Sequence, residues 1–302
     1  MRRLLRIFVI VHRAALRAMD HDVLNLAQSA AYSAIVALFP TLLVAAALVT
    51  LLPDAAPIRT QLGDFFDRVL PSEAVPMLDS YFDTTQRARS ARVLVLSFIV
   101  SFSGASSVIA TYMEGLRRAN DLPFDCWSFW SRRARAYALV PLSLVPLSVA
   151  SALIVFGHLL IAWIAGHVGP SIRTEVYVIA LILRWTAALL GSVGLIALIY
   201  HMGTPARQPW RQVLPGAIAA TTMWFLTTLA FGLYVTRFAN YSQVYGSLGA
   251  GIALLFWLYL VSLSVFFGAE FNFVFHHSDQ NPPVTVNPLK PRAVRMSNGN
   301  PN

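Results

Sequence analysis

Long runs of apolar residues alternate with short polar stretches along most of the chain. The last run is the cleanest. From Tyr245 to Asn272 it carries a single charged residue, Glu270, near its far end. About 20 apolar residues are enough to cross the hydrocarbon core as a helix, so this run predicts a membrane span. Five earlier runs read the same way, giving spans at Ala30–Leu52, Val93–Met113, Ala136–Ala165, Val176–His201, Val213–Thr236 and Gly246–Phe275. Lipid satisfies no backbone polar group, which leaves helices as the economical way to cross it. The expected fold is therefore all-α: a polytopic membrane bundle of six transmembrane helices preceded by an N-terminal amphipathic helix.

The first residues have a different period. At about 100° per residue, Arg2, Arg3, Arg6, Arg13 and Arg17 share one sector, and Leu4, Leu5, Phe8, Val11, Ala15 and Met19 lie opposite. Ile10 is a misfit among the arginines. Two readings stand: a helix lying on the cytoplasmic leaflet, or a solvated helix packed on the bundle. A cleaved signal is not expected, because the apolar stretch Ile7–Val11 is short and is broken by His12 and Arg13.

Three regions follow: a cytoplasmic amphipathic segment (1–29), a six-span membrane domain (30–276) with an outside loop (53–91), and a cytoplasmic tail (277–302). In span one, Ala27, Ala31, Ala34, Thr41 and Ala45 form a small-residue face suited to close packing. Pro40 removes a backbone donor mid-span. The outside loop predicts two short amphipathic helices separated by Pro71, with Asp64, Asp67, Glu73, Asp79 and Asp83 on their polar side. Span two is rich in Ser, which suits either helix packing or a hydrated cavity. The tail from Asn281, rich in Pro and Asn, has no apolar periodicity and is expected to be disordered.

Composition agrees with a membrane home. The chain is 57% hydrophobic and 12% charged, against about a quarter charged in soluble domains. Its net charge of +9 matters through its distribution. Fifteen Lys and Arg fall on the side holding both termini and seven on the other, which places the termini in the cytoplasm. The basicity is then a topology signal, with anionic lipid headgroups at the cytoplasmic face as the expected partner and no nucleic acid. The tryptophans and arginines of Trp127–Arg135 read as an inner interface anchor. The single cysteine, Cys126, sits in no metal-ligand spacing.

Four polar residues at or within the spans are candidate functional groups: Glu114, Arg184, Glu270 and Asn272. Arg184 lies about 12 Å below the start of span four, at about 1.5 Å per residue, and either snorkels outward or meets an acid in a polar interior. Glu114 is expected to pair with Arg117 and Arg118 at three and four residues. Glu270 has two readings. One is an interfacial acid paired with Arg117 or Arg118. The other is a group facing a polar, water-reachable interior, where an intramembrane charge signals function. No phosphate loop, His-Glu-x-x-His or paired Cys-x-x-Cys is present, so no catalytic residue, metal or cofactor is assigned and an enzyme is not expected.

Several segments together resemble the YihY/BrkB family of bacterial inner-membrane proteins. They are Ala31-Tyr-Ser-Ala-Ile-Val-Ala-Leu-Phe-Pro40, Pro215-Gly-Ala217 with Trp224, Tyr245-Gly-Ser-Leu-Gly-Ala250, Trp257-Leu-Tyr259 and Gly268-Ala-Glu-Phe-Asn272. The resemblance spans about residues 24 to 276. Family members more often carry Ser where Ala37 stands. The resemblance implies six spans, an inner-membrane location and cytoplasmic termini, but no established activity. An older label for some members was ribonuclease BN, and no cluster of acids or histidines here supports metal-dependent hydrolysis. Glu270 and Asn272 match the family's closing motif. Transport of a lipid or another amphipathic envelope component is the leading expectation, with a non-enzymatic envelope-integrity scaffold as the alternative.

Overall fold

The computed structural model describes residues 2–50, 91–146, 173–205, 208–238 and 247–277. Within them the chain is helical, with no strand. The helices are α1 (Arg2–Asp20), α2 (Val23–Thr50), α3 (Ala91–Ala119), α4 (129–146), α5 (Arg173–Gly203), α6 (Trp210–Phe238) and α7 (Ser247–His277), with a 3-10 turn at Phe124–Cys126. Among the described residues four stretches are long and apolar enough to cross a membrane: Val95–Ala119, Trp185–Gly203, Trp210–Val235 and Gly251–His277. A shorter apolar stretch, Val23–Leu38, belongs to α2. The outside-loop helices, span three beyond residue 146, the tail and the side chain of Arg184 lie outside the described residues.

Helix α7 is the hub. It packs along α6 and α2 and also touches α1 and α3, while α2 and α3 form a second close pair. The main core joins Met113 and Leu116 of α3, Leu139 of α4, Tyr200 of α5, Val213 and Ala217 of α6 and Ala269 of α7. Phe266 of α7 fills the space against Val23, Ala27 and Ala30 of α2. The Tyr200 hydroxyl, buried among these groups, donates to the Val265 carbonyl, which answers the cost of burying it. Apart from this core, the spans present apolar side chains outward. No more than 33% of any candidate span is buried, as suits helices solvated by lipid.

Small residues set the closest contacts. A Cβ on Gly104 would lie 2.6 Å from that of Ala37, so α2 and α3 touch nearly backbone to backbone. The hydroxyls of Thr41 and Ser101 meet beside this point at 2.6 Å. Ser106, Ser107 and Thr111 donate to carbonyls of α3 itself. Ala27 and Ala31 are buried as the small-residue face of span one requires, whereas Ala34 is only partly so. Pro40 is accommodated inside α2, which continues to Thr50.

Candidate functional site

Parts of the chain far apart in sequence converge at one end of the bundle: the α1–α2 corner, the C-termini of α3, α5 and α7, and the N-terminus of α6. There α1 ends at Asp20, and the His21 N–H bonds back to the Arg17 carbonyl at 2.9 Å. Asp22 adopts φ 60° as the chain turns into α2. The corner directs Arg17 and His21 at Glu270, whose side chain is 1% exposed.

Four side chains form a closed ring in which Arg17 and His21 alternate with Glu270 and Asp121. Arg17 Nε donates to Glu270 Oε2 at 3.1 Å, and Arg17 Nη2 reaches Asp121 at 3.2 Å. His21 Nε2 is 3.4 Å from Asp121 Oδ1, and His21 Nδ1 is 2.6 Å from Glu270 Oε1. Arg17 and His21 thus each touch both carboxylates. A buried carboxylate is strongly disfavoured unless paired and hydrogen-bonded; here Arg17 supplies the charge and both side chains bond it. Arg17 also donates to the Ala119 carbonyl at 3.0 Å and stacks 4.1 Å from the Phe273 ring.

Asp121 is placed by the end of α3. Leu122 N–H bonds to the Arg117 carbonyl and Asp121 N–H to that of Arg118, the paired bonds of a Schellman cap. The residue at the left-handed position of that cap is usually Gly, yet Asp121 holds φ 53°. A non-glycine residue there costs about 1–2 kcal/mol, less for Asp than for most. Its carboxylate is what the ring uses.

Glu114 keeps the arginines expected for it, Arg117 at 2.7 Å and Arg118 at 3.2 Å, with Arg132 of α4 at 3.6 Å. Arg118 reaches across to the His21 carbonyl at 3.1 Å. The expectation that Glu270 pairs with Arg117 or Arg118 is therefore corrected. Those arginines are engaged by Glu114, and the partners of Glu270 come from α1 and the corner after it. Nor does Glu270 face a water-reachable interior: the residue is 0% exposed, closed over by Arg17 and His21.

Helix α1 makes its protein contact through a narrow stripe between its two faces. The residues that bury against α7 are Ile10 and Ala14, next to Val274 and backed by Phe267 and Phe271. Ile10, the misfit among the arginines, is the anchor. The main apolar sector faces away from the protein, with Leu5, Phe8 and Met19 all more than two-thirds exposed.

Asn272, two residues beyond Glu270, serves a separate polar chain. Its Oδ1 accepts the Gly216 N–H at 3.1 Å. Its Nδ2 approaches Gln208 Oε1 at 3.5 Å, and Gln208 Nε2 donates to Asn120 Oδ1 at 2.7 Å. Asn120 in turn donates to the Leu116 carbonyl. Next to Gly216, Pro215 has no N–H to give the helix, and the carbonyl of Gln212 accepts from His276 Nε2 at 2.7 Å. Two motifs singled out in the sequence, Pro215-Gly-Ala217 and Gly268-Ala-Glu-Phe-Asn272, thus meet directly. Trp224, further along α6, holds a buried indole N–H with no partner.

Of the four sequence candidates, Glu114, Glu270 and Asn272 gather at this end, in separate networks. His21, Asp121, Asn120 and Gln208 were missed. Their signal in sequence is slight: polar residues at helix ends, where a solvated cap is the ordinary explanation. Among the described residues no group of three or more His, Cys, Asp or Glu is arranged to hold a metal ion.

A family profile described as "Virulence factor BrkB" matches residues 14–291. The ribonuclease-like protein YfkH of Bacillus subtilis is 28% identical, over 83% of this chain and 91% of its own length. A UPF0761 membrane protein of Alteromonas mediterranea is 27% identical, over 86% of this chain and 85% of its own. A UPF0761 membrane protein of Bordetella petrii is 29% identical over 85% of this chain, which covers 55% of that longer relative. No solved structure matches the chain.

Proposed function

We infer that this chain, which belongs to the virulence factor BrkB family of membrane proteins, is a six-span inner-membrane transporter of a lipid or another amphipathic envelope component. Both termini lie in the cytoplasm, where the excess of basic residues collects. Helix α1 lies along the inner leaflet: its outward apolar face is exposed among the described residues, and anionic headgroups suit the arginines beside it.

One observation carries the transport reading: Glu270, buried in α7, takes its counter-charges from a helix that is not a span. A purely structural bundle gains little from such a carboxylate, since apolar packing of similar volume is often as stable or more so. Charges inside spans are instead associated with function. Because Arg17 and His21 belong to α1 and its corner, movement of α1 alone opens the site and leaves the spans in place. An inner closure that can open is what a carrier needs.

A second reading, a non-transporting scaffold, is favoured by the rigid seam of Gly216, Gly268 and Asn272 at the same end. No nuclease activity is extended to this chain from the name of its Bacillus relative. The acids at this end are engaged by arginines, which supports a non-enzymatic role.

The test is complementation of a deletion strain by the double variant Arg17→Gln/Glu270→Gln, with membrane abundance measured alongside. Gln keeps most of the shape and hydrogen bonding while removing both charges together. Loss of complementation at normal abundance is expected. Full complementation at normal abundance removes the residue-level support for transport.

A further inference from the structure

We propose that His21 is a proton-operated latch, holding the α1–α2 corner against α7 and the end of α3 only while its imidazole carries both protons. This goes beyond the transport reading and does not depend on it.

The argument rests on the ring. His21 stands between two carboxylates, Glu270 Oε1 at 2.6 Å and Asp121 Oδ1 at 3.4 Å, one at each ring nitrogen. His21 Nδ1–H donates to Glu270, while Nε2 lies at ion-pair distance from Asp121. Carboxylates accept and do not donate, so only imidazolium is attracted at both nitrogens; a neutral imidazole has one N–H. With that proton the ring holds two cations and two carboxylates. Without it, Arg17 alone faces both acids, and a ring nitrogen turns a lone pair toward a carboxylate.

The surroundings do not compensate. Arg118 is spent on Glu114, at 3.2 Å, and on the His21 carbonyl. Its approach to Asp22 is 4.0 Å. Arg117 and Arg132 likewise face Glu114. The ion pairs of Glu270 and Asp121 run to Arg17 and His21.

Exposure decides which edge opens. Glu270 is 1% exposed and keeps the shorter contact, whereas Asp121 is 52% exposed and can turn to water. Deprotonation therefore weakens the His21–Asp121 edge first and loosens the corner on α3, where Arg17 on Asp121 and the Ala119 carbonyl and Arg118 on the His21 carbonyl remain. The remaining hold of α1 on α7 is Arg17 with Ile10 and Ala14, a small apolar contact. In sign, the latched state takes up the proton. It is favoured on the acid side and weakens as pH rises.

The test uses the full-length chain with Cys126→Ser, in lipid nanodiscs. Spin labels go on Ala15→Cys of α1 and Arg211→Cys of α6, both exposed positions outside the ring. Inter-label distances are measured in samples frozen at about pH 5.5 and about pH 8, a span bracketing imidazole titration. The expected result is one short population at the acid value and a second, longer and broader one at the alkaline value. The latched-to-released ratio should fall about tenfold, the effect of losing the positive charge from the hydrogen bond to Glu270. His21→Gln should show the released population at both values, and His21→Lys, permanently charged, the latched one. Asp121→Asn removes the charge and offers an amide that can donate to an unprotonated ring nitrogen as well as accept from a protonated one, so it should abolish the pH dependence even where His21→Gln is not recovered folded. Identical wild-type distributions at both pH values, or a full pH response retained in Asp121→Asn, overturn the proposal.

Discussion

Gly216 and Gly268 face each other across the α6–α7 seam so closely that a Cβ on either would lie 2.6 Å from the other's carbonyl oxygen. Neither backbone can give way without disturbing Asn272, whose side chain bonds the Gly216 N–H, or Tyr200, whose hydroxyl lies beside Gly268. The contact has the small-residue character by which membrane helices associate.

Gly216→Ala and Gly268→Ala are each expected to cost about 1–3 kcal/mol, as overpacking does in a closed core. Gly194→Ala is the control, because nothing lies within 4 Å of its added Cβ. A helical Gly exchanged for Ala without a clash should be neutral or stabilising by about 0.5–1 kcal/mol. Unfolding midpoints in mild detergent decide the matter; equal midpoints for all three variants would remove the close contact.

Local pairings were legible in the sequence, and remote ones were not. Glu114 with Arg117 and Arg118 follows from helical spacing alone. The partners of Glu270 could not be read this way, because they lie 253 and 249 residues away. No periodicity connects a peripheral helix to the last span. Ile10 shows the intermediate case. Its misplacement among arginines was visible, but nothing in the periodicity said that this narrow stripe makes the protein contact. In a membrane protein that sector has a second solvent available, and the protein contact is made by the narrow stripe of Ile10 and Ala14. Asp121 was hidden differently. Its importance lies in a left-handed cap that other sequences fill with Gly, and a single sequence does not display that choice.

If α1 lies in the leaflet, its two exposed sides differ in solvent. A spin label at Phe8 in the full-length chain in bilayers should be more accessible to oxygen than to a water-soluble paramagnetic chelate. A label at Arg13, on the basic side, should show the reverse. Interfacial helices bury the apolar face roughly 5–10 Å into the headgroup–acyl boundary. Free access of the chelate to Phe8 would leave α1 in water.

Topology is tested by cysteine labelling in a Cys126→Ser background. With fifteen basic residues on one side and seven on the other, a cysteine at Leu70 should react with an impermeant reagent added from outside, and one at Arg211 only after the membrane is opened. Labelling of position 70 from the cytoplasmic side alone contradicts the arrangement.

The central claim is that Arg17 and Glu270 join a peripheral helix to the buried end of the last span. A double-mutant cycle measures that link directly. Arg17→Gln leaves a carboxylate that is 1% exposed with His21 as its remaining partner. It should be the more damaging single change, at about 3 kcal/mol, the low end for breaking a buried pair. Glu270→Gln should cost less, because Arg17 is 25% exposed and retains Asp121. The double variant should be no less stable than Arg17→Gln alone, giving a coupling of at least about 1 kcal/mol. Additivity within about 0.3–0.5 kcal/mol, the behaviour of sites that do not touch, would contradict the pairing and the inner closure built on it.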